Sequence, residues 1–216
     1  RLLTRIIFVW FMKEKGLVPE ELFDLDKVQK IINFSDGSGS SYYKAILQNL
    51  FFATLNTEMT KDKAESRRFR KDITGHLNSD FNLHTVFRYK QMFMEPDTAI
   101  KKHFGGIPFL NGSLFECLDS EIKSGDHVQK TYVDGFSDRS DNPLKVPDNL
   151  FWNGPGIECD LNEIYGTKNK RYNVRGLLDI LHSYKFTIAE NTPVEEEVAL
   201  DPELLGRVFE NLLAAY

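Results

Sequence analysis

Asp97, Glu121 and Lys123 have the residue types and order of a metal-dependent nuclease site, with Pro96 directly before the aspartate. Such a nuclease needs carboxylates that hold Mg²⁺ and a lysine that assists the attacking water. The pattern is short and arises often by chance, and a working Glu-x-Lys motif lies on a buried strand. Residues 118–126 are polar and predict a loop, which favours exposed charges over a nuclease.

Two clusters of basic residues have the composition of contacts to nucleic-acid phosphates. The first cluster is Arg67, Arg68, Arg70 and Lys71, and the second is Lys168, Lys170, Arg171 and Arg175. The plain alternatives are a solvated helix face for the first cluster and an exposed turn for the second, and the sequence leaves both open. DNA affinity comes largely from phosphate neutralisation, so the net charge of −5 argues against a domain that supplies most of an enzyme's DNA binding.

The chain lacks the motifs of a methyltransferase or a metal centre. An adenine methyltransferase needs Asp/Asn-Pro-Pro-aromatic to receive a flipped base, and the nearest string, residues 141–144, has neither the second proline nor the aromatic residue. The histidines are widely separated, and no Cys-x-x-Cys or His-x-x-x-His occurs. His103 and Cys117 have no signature of a catalytic dyad. We therefore expect no catalytic, cofactor-binding or metal-binding residue in this chain.

Apolar residues at helical spacing predict most of the elements that would position these groups. Helices are expected over residues 2–15, 26–34 and 41–57, and Pro19 marks the start of a short one. The first helix is apolar on most sides, which predicts packing on more than one face. A final amphipathic helix, 201–215, starts at Asp-Pro-Glu and meets no stop signal, so we expect the chain to be a piece of a longer protein.

The middle of the chain predicts less regular structure. Residues 105–160 are rich in Gly, Pro, Asp and Asn, which indicates loops with short elements, and residues 164–174 have the pattern of a β-hairpin. The expected fold is mainly α, a bundle-like domain with a small β-hairpin and long irregular loops in the middle. We expect one domain over residues 1–216, with a possible subdivision near residue 104.

Composition indicates a soluble globular protein in a reducing compartment. Hydrophobic residues make up 41% and charged residues 27% of the chain, which is ordinary for such proteins. The two cysteines predict no disulfide framework. The apolar run 6–12 is far shorter than a membrane span, and no signal peptide is recognisable. These features predict a cytoplasmic protein without a membrane partner.

Several stretches resemble the segment just before the methyltransferase domain of type IIG restriction–modification enzymes. The matching stretches are residues 2–23, 107–116, 176–181, 184–187, 190–193 and 200–213. The second stretch is similar to the family's Leu-Asn-Gly-Gly-Leu-Phe-Glu, with Ser113 in place of the second glycine. In this family a DNA endonuclease precedes the region, and an adenine-N6 DNA methyltransferase follows it in the same chain.

The resemblance implies a non-catalytic helical connector that fixes the nuclease at a set distance from the methyltransferase. The family's Gly-aromatic-Tyr-Thr-Pro cofactor motif is missing here, so S-adenosylmethionine and Mg²⁺ are implied for the parent enzyme only, as are DNA and the two adjacent domains as partners. Leu205, Val208, Phe209 and Leu212 would face the methyltransferase or the connector's own core. The alternatives are a DNA-backbone-binding module and a Mg²⁺-dependent nuclease using Asp97, Glu121 and Lys123.

Overall fold

The computed structural model describes residues 1–34, 39–58, 67–70, 84–110, 113–124, 127–137, 142–154 and 156–184. The chain groups into two compact units, Arg1–Asp148 and Asn149–Tyr216. The boundary lies at Asp148 and not near residue 104, where the sequence suggested a subdivision. That all residues serve a single connector domain stays a prediction. The predicted last helix, 201–215, lies outside the described residues.

The first unit consists mainly of helices joined by irregular segments. Its described helices are α1 (Leu2–Glu14), a 3-10 helix (Glu20–Phe23), α2 (Leu25–Ile31), a long π-helix (Tyr42–Leu55), a 3-10 helix (Lys90–Met92), α3 (Pro96–Ala99) with a π-helical continuation (Ile100–Phe104) and a 3-10 helix (Ser113–Phe115). A further 3-10 helix (Asp148–Leu150) starts at the last residue of this unit. Strands β1 (Ser120–Ser124) and β2 (His127–Thr131) form an antiparallel hairpin.

The described part of the second unit, residues 149–154 and 156–184, contains a further hairpin. Its elements are β3 (Ile157–Cys159), α4 (Asn162–Tyr165), β4 (Tyr172–Val174) and α5 (Leu177–Ser183). Strands β3 and β4 pair antiparallel, with Ile157 opposite Val174 and Cys159 opposite Tyr172. The mainly helical fold with small antiparallel β features confirms the predicted fold class.

The predicted helices are found close to their expected bounds. Helix α1 buries Ile6, Val9 and Trp10, as its apolar pattern requires, but Leu3 is 61% exposed and Ile7 is 38% exposed. Packing of α1 is therefore more one-sided within this unit than the sequence predicts. Helix α2 ends earlier than expected, because Ile32 is extended (φ −126°, ψ 153°) and forms a β-bridge with Phe93.

The predicted hairpin over residues 164–174 is wrong in its first strand. Residues 162–165 form the helical turn α4, and the partner of β4 is β3 instead. Asp160 accepts a hydrogen bond from the backbone N–H of Asn162 at 3.0 Å, which favours a turn at this position. Residues 118–126, expected to be a loop, include strand β1 (Ser120–Ser124), which pairs with β2.

The long π-helix forms the centre of the first unit. All of its residues except Lys44 are buried. Asn56 N–H donates to the carbonyl oxygen of Phe51 at 3.1 Å, the five-residue spacing of a π-helix. At the other end, the carboxylate of Asp148 accepts from the backbone N–H groups of Ser41 (3.0 Å) and Tyr42 (2.8 Å). A distant aspartate thus satisfies N–H groups that a helix start leaves unpaired.

A buried arginine ties α1 to the chain on both sides of the β1–β2 hairpin. Arg5 is 1% exposed and ion-pairs with the carboxylate of Asp134. It also donates to the carbonyl oxygens of Leu114 and Glu116, each at 2.7 Å, and its guanidinium lies 5.0 Å from the ring centroid of Phe52. An unpaired buried charge is costly, so these partners specify where α1 sits.

A second buried carboxylate shapes the segment that carries Asp134. Asp119 accepts hydrogen bonds from the backbone N–H groups of Val133, Asp134, Gly135 and Phe136, at 2.7–3.0 Å. Each of these groups would otherwise need another partner away from water. The carboxylate therefore sets the backbone of this turn.

The π-helix binds the same turn through side chains. The hydroxyl of Tyr43 and the amide of Gln48 both donate to the carbonyl oxygen of Asp134, at 3.0 and 2.6 Å. Tyr89 donates to the side-chain oxygen of Gln48 at 2.7 Å. These bonds join sequence-distant parts of the first unit into one polar network.

Candidate nucleic-acid interface

The second basic cluster includes a short loop that Asn162 holds closed. The Asn162 side-chain oxygen accepts from the hydroxyl of Thr167 (2.7 Å) and from the backbone N–H of Lys170 (3.0 Å). Its amide donates to the carboxylate of Asp160 (2.6 Å) and to the carbonyl oxygen of Lys170 (2.8 Å). One side chain therefore fixes both ends of the segment 167–170, which we call the Asn162 loop.

Two tyrosine side chains flank the Asn162 loop, and residues in the left-handed conformation lie beside it and within it. The hydroxyls of Thr167 and Tyr172 lie 2.7 Å apart, and the rings of Tyr165 and Tyr172 have centroids 5.1 Å apart. Gly166 (φ 61°) and Asn169 (φ 57°) adopt the left-handed conformation, which glycine and asparagine tolerate best. Local hydrogen bonds and turn chemistry thus define the loop's shape.

The loop borders an open pocket of about 500 Å³ with a polar and charged lining. The lining residues are Asp160, Asn162, Thr167, Lys168, Asn169, Lys170 and Arg171. Lys168, Lys170 and Arg171 are exposed. Hydrogen bonds from Asn162 lower the pKa of Asp160, so this carboxylate stays charged in the lining. The pocket therefore presents more positive than negative side chains to solvent.

Arg175, the last member of the second cluster, belongs to the neighbouring turn. It is exposed, and its guanidinium donates to the carbonyl oxygen of Asp179 at 2.9 Å. The Asp179 carboxylate in turn accepts from the backbone N–H of Asn153 at 3.0 Å. Arg175 therefore has a structural bond to α5, which sets it apart from the cations that line the pocket.

The first basic cluster is divided by burial, which corrects the prediction for Arg67. Arg67 is buried, and its guanidinium donates to the carbonyl oxygens of Phe104 and of Ile107 (2.8 Å). Burial also lowers the pKa of Arg67. It is a core residue, not a surface phosphate contact, since its donors serve the backbone. Arg68 is exposed, and Lys71 lies outside the described residues.

Arg70 is half-buried and belongs to a short backbone pairing. Its N–H donates to the carbonyl oxygen of Phe87 at 2.8 Å, and Phe87 N–H donates to the carbonyl oxygen of Arg68 at 3.0 Å. These bonds accompany the parallel bridge between Phe69 and Phe87. The segment is thus part of a β-bridge rather than the solvated helix face that composition suggested.

The residues of the nuclease hypothesis lie in different settings. Asp97 is in the first turn of α3, and its side chain is 88% exposed and 3.2 Å from Lys90 Nζ. Glu121 and Lys123 belong to β1, but their side chains lie outside the described part of the structure. Among the residues that the structure describes, no group of three or more His, Cys, Asp and Glu could hold a metal ion.

The two groups considered as a catalytic dyad have structural surroundings. His103 Nδ1 lies 2.6 Å from a carboxylate oxygen of Glu21. Burial raises the pKa of the Cys117 thiol well above its usual range, with a smaller contribution from Asp119. A nucleophilic cysteine needs a lowered pKa, so the surroundings of Cys117 favour an inert thiol.

Sequence reasoning missed the two polar residues that shape the loop. Asp160 and Asn162 belong to no charge cluster or catalytic motif, whereas the lysines and arginines nearby form a recognisable basic cluster. The available signal was the Asp-x-Asn spacing itself, because both residue types bond nearby backbone groups and initiate turns.

The chain is 28% identical over 217 residues to a protein of Methanocaldococcus jannaschii whose provisional name is type II restriction enzyme and methyltransferase. The alignment covers 98% of this chain, which spans 12% of the length of that relative. No family model matches the chain, and no solved structure matches it. The similarity supports the restriction–modification context.

The described residues contain no helix that is both long and apolar enough to cross a lipid bilayer.

Proposed function

We propose that this chain is a non-catalytic connector of a restriction–modification enzyme, which holds a DNA nuclease at a fixed distance from an adenine-N6 DNA methyltransferase. The similarity to the archaeal protein over 98% of the chain supports the enzyme context. Type IIG organisation is the form that the sequence resemblance favours. The enzyme would act on DNA in the cytoplasm.

The observation that carries this proposal is the buried polar network of the first unit. Arg5 and Asp134 pair across 129 positions of sequence, and Asp119 holds four backbone N–H groups of the adjoining turn. A spacer transmits a distance only if its packing has one arrangement. Buried polar groups that are satisfied in a single geometry favour such uniqueness.

The proposed connector leaves the chemistry to its neighbours. S-adenosylmethionine would bind the methyltransferase and Mg²⁺ the nuclease. The carboxylates of Asp119, Asp134 and Asp148 have structural hydrogen bonds, and that of Asp97 is exposed beside a lysine, so no catalytic step is assigned to them. We expect the purified chain to transfer no methyl group from S-adenosylmethionine and to leave plasmid DNA intact with Mg²⁺. Cleavage that Glu121→Ala abolishes would instead support the nuclease alternative.

The positioning role can be tested in a full-length enzyme that carries this segment. Arg5→Met should loosen the first unit and broaden the distribution of cleavage distances, while the methyltransferase keeps its site preference. Replacement of exposed Lys101 by alanine is the control and should leave the distances unchanged. An unchanged, sharp cut position in a variant whose first unit is shown to be loosened would contradict the connector role.

A second candidate function, binding of the DNA backbone, is favoured by the exposed cations of the Asn162 loop. Lys168, Lys170 and Arg171 line one open pocket on a locally fixed backbone. If these cations meet phosphates, reversing their charge should lower the log–log salt slope of DNA binding by about 0.9 for each phosphate that is no longer neutralised. An unchanged slope would remove this candidate and leave the connector proposal standing.

A further inference from the structure

We infer that Asn162 is the positioning residue of a preformed phosphate site, in which the Asn162 loop and Arg171 receive the phosphodiester backbone of duplex DNA. This inference rests on the second candidate function, binding of the DNA backbone. It assigns the decisive geometric role to a neutral side chain that no charge pattern identifies.

The hydrogen bonds of Asn162 order the backbone segment that carries the cations. Its side chain forms hydrogen bonds with the hydroxyl of Thr167 and with the backbone N–H and carbonyl oxygen of Lys170. These bonds hold the two ends of the segment 167–170 close together. Lys168 and Asn169 lie inside this segment, and Arg171 follows it directly. A site that is already ordered loses less conformational entropy on binding, which increases affinity without adding any contact.

The charge of the lining selects an anion. Three cations, Lys168, Lys170 and Arg171, line a pocket whose described lining contains one carboxylate, that of Asp160. That carboxylate accepts two hydrogen bonds from Asn162, and the nearby charge of Arg171 contributes to its lowered pKa. Asp160 thus serves as an anchor for Asn162 while it weakens the positive field of the pocket.

Because the pocket is open, it suits a DNA backbone better than a small ligand that needs to be enclosed. The described lining is formed by polar and charged residues, without an aromatic ring or apolar wall that would enclose a nucleobase. The lysines and the arginine are exposed, so they can reach phosphates on an extended surface. Contacts of this kind position a protein on DNA without reading its sequence.

The test measures binding of the 216-residue chain to a fluorescent duplex by anisotropy over a range of salt concentrations. Asn162→Ala should weaken binding several-fold and reduce the salt slope, although it removes no charge. Gln129→Ala, an exposed amide replacement in the first unit, is the matched control and should change neither quantity. Thermal unfolding identifies any variant that has lost its fold, and Thr167→Val then serves as a milder disruption of the same hydrogen bonds.

Asp160→Asn gives a readout that a purely structural role would not produce. The amide keeps an oxygen acceptor for Asn162 but removes the negative charge that Asp160 adds to the lining. Binding of the duplex should tighten about two- to threefold, the scale of a single charge near a water-exposed phosphate. Weaker binding would overturn the inference, because it would indicate that Asp160 contributes only to folding or attracts a cation.

The outcomes separate this inference from the function on which it rests. One outcome is that charge reversal of Lys168, Lys170 and Arg171 lowers the salt slope, while folded Asn162→Ala and Thr167→Val variants bind DNA normally. That result would support binding of the DNA backbone and contradict the positioning role of Asn162. If none of the variants changes binding, both fall. Inorganic phosphate is the remaining probe: if it binds the wild-type pocket while the duplex does not, the assignment to DNA is overturned.

Discussion

Arg5 illustrates how single buried side chains specify this molecule. The position of Arg5 on an apolar helix does not indicate its role. Its guanidinium donates hydrogen bonds to a carboxylate and two carbonyl oxygens of a segment more than 100 residues away. Asp119 and Asp148 act likewise by binding backbone N–H groups of other segments. At the scale of residues, polar groups inside the first unit therefore fix long-range geometry.

Arg5→Met should destabilise the first unit by about 3–5 kcal/mol, because Asp134 would remain as an uncompensated buried charge. Urea unfolding measures this loss. In a double-mutant cycle with Asp134→Asn, the combined variant should cost less than the sum of the single changes. Strict additivity would mean that the two side chains do not interact in solution.

We expect the folded chain to lose stability at alkaline pH because of Tyr43. Burial, with a contribution from the charge of Asp134, raises the pKa of Tyr43 from 10.0 to about 12. Above pH 10 the unfolded chain releases the phenolic proton while the folded chain keeps it, so the stabilisation is full below pH 10 and declines up to about pH 12. The slope from this group is about 1.4 kcal/mol per pH unit.

The measurement for Tyr43 is urea unfolding between about pH 9 and 11.5, a range that spans the ordinary tyrosine pKa, compared with Tyr43→Phe. Burial also raises the pKa of Tyr42, which stays in both proteins and therefore cancels in the comparison. The phenylalanine variant should lose stability less steeply with pH. Parallel curves for the two proteins would show that Tyr43 titrates normally in the folded chain.

The π-helix is the element on which the first unit depends most. Its apolar periodicity marks residues 41–57 as helical, but the π geometry and the buried Gln48 and Asn49 follow from its surroundings. Asn49 donates to the carbonyl oxygen of Arg88 (3.1 Å) and accepts from its N–H (2.8 Å). The helix thus offers polar side chains as backbone partners where no strand or helix supplies them.

Asp148→Ala should destabilise the first unit by about 0.5–2 kcal/mol, the usual effect of removing a side-chain cap. The change leaves the N–H groups of Ser41 and Tyr42 without their carboxylate. Asp148→Asn, which retains one oxygen acceptor, should lose less. Chemical unfolding of the three proteins would test the order, and equal stabilities would contradict the capping role.

At the scale of the whole molecule, the chain contains two compact units with different roles in the proposals. The first unit has the buried network that a rigid spacer needs, and the second unit carries the exposed cations of the Asn162 loop. The similarity to a Methanocaldococcus jannaschii protein, provisionally named a type II restriction enzyme and methyltransferase, supports the restriction–modification context that both proposals share.

Reaction assays of the 216-residue chain would decide whether it acts alone. Incubated with DNA and labelled S-adenosylmethionine, it should transfer no label, and with Mg²⁺ it should not convert supercoiled plasmid to nicked or linear forms. The positive control is a full-length enzyme of the same class. Turnover by the chain, retained after repurification and altered by Glu121→Ala, would contradict a connector without catalytic groups.

The sequence by itself determined the elements whose signals are local. Apolar spacing located α1, α2 and the central helix within a few residues, because a helix face repeats at short range. Basic composition likewise located the exposed cations at residues 168–171. Sequence patterns failed around residues 118–126 and 162–165, where a polar strand and a side-chain-initiated turn leave only weak signals.

Tertiary structure decided which of the charged residues face water and which hold the core together. Arg67 and Arg68 are adjacent in sequence, yet Arg67 is buried on carbonyl oxygens 37 and 40 positions away and Arg68 is exposed. The same holds for Arg5 and its partner Asp134. Burial of a charge depends on partners that folding brings from distant segments, and a local pattern of residue types contains no record of them.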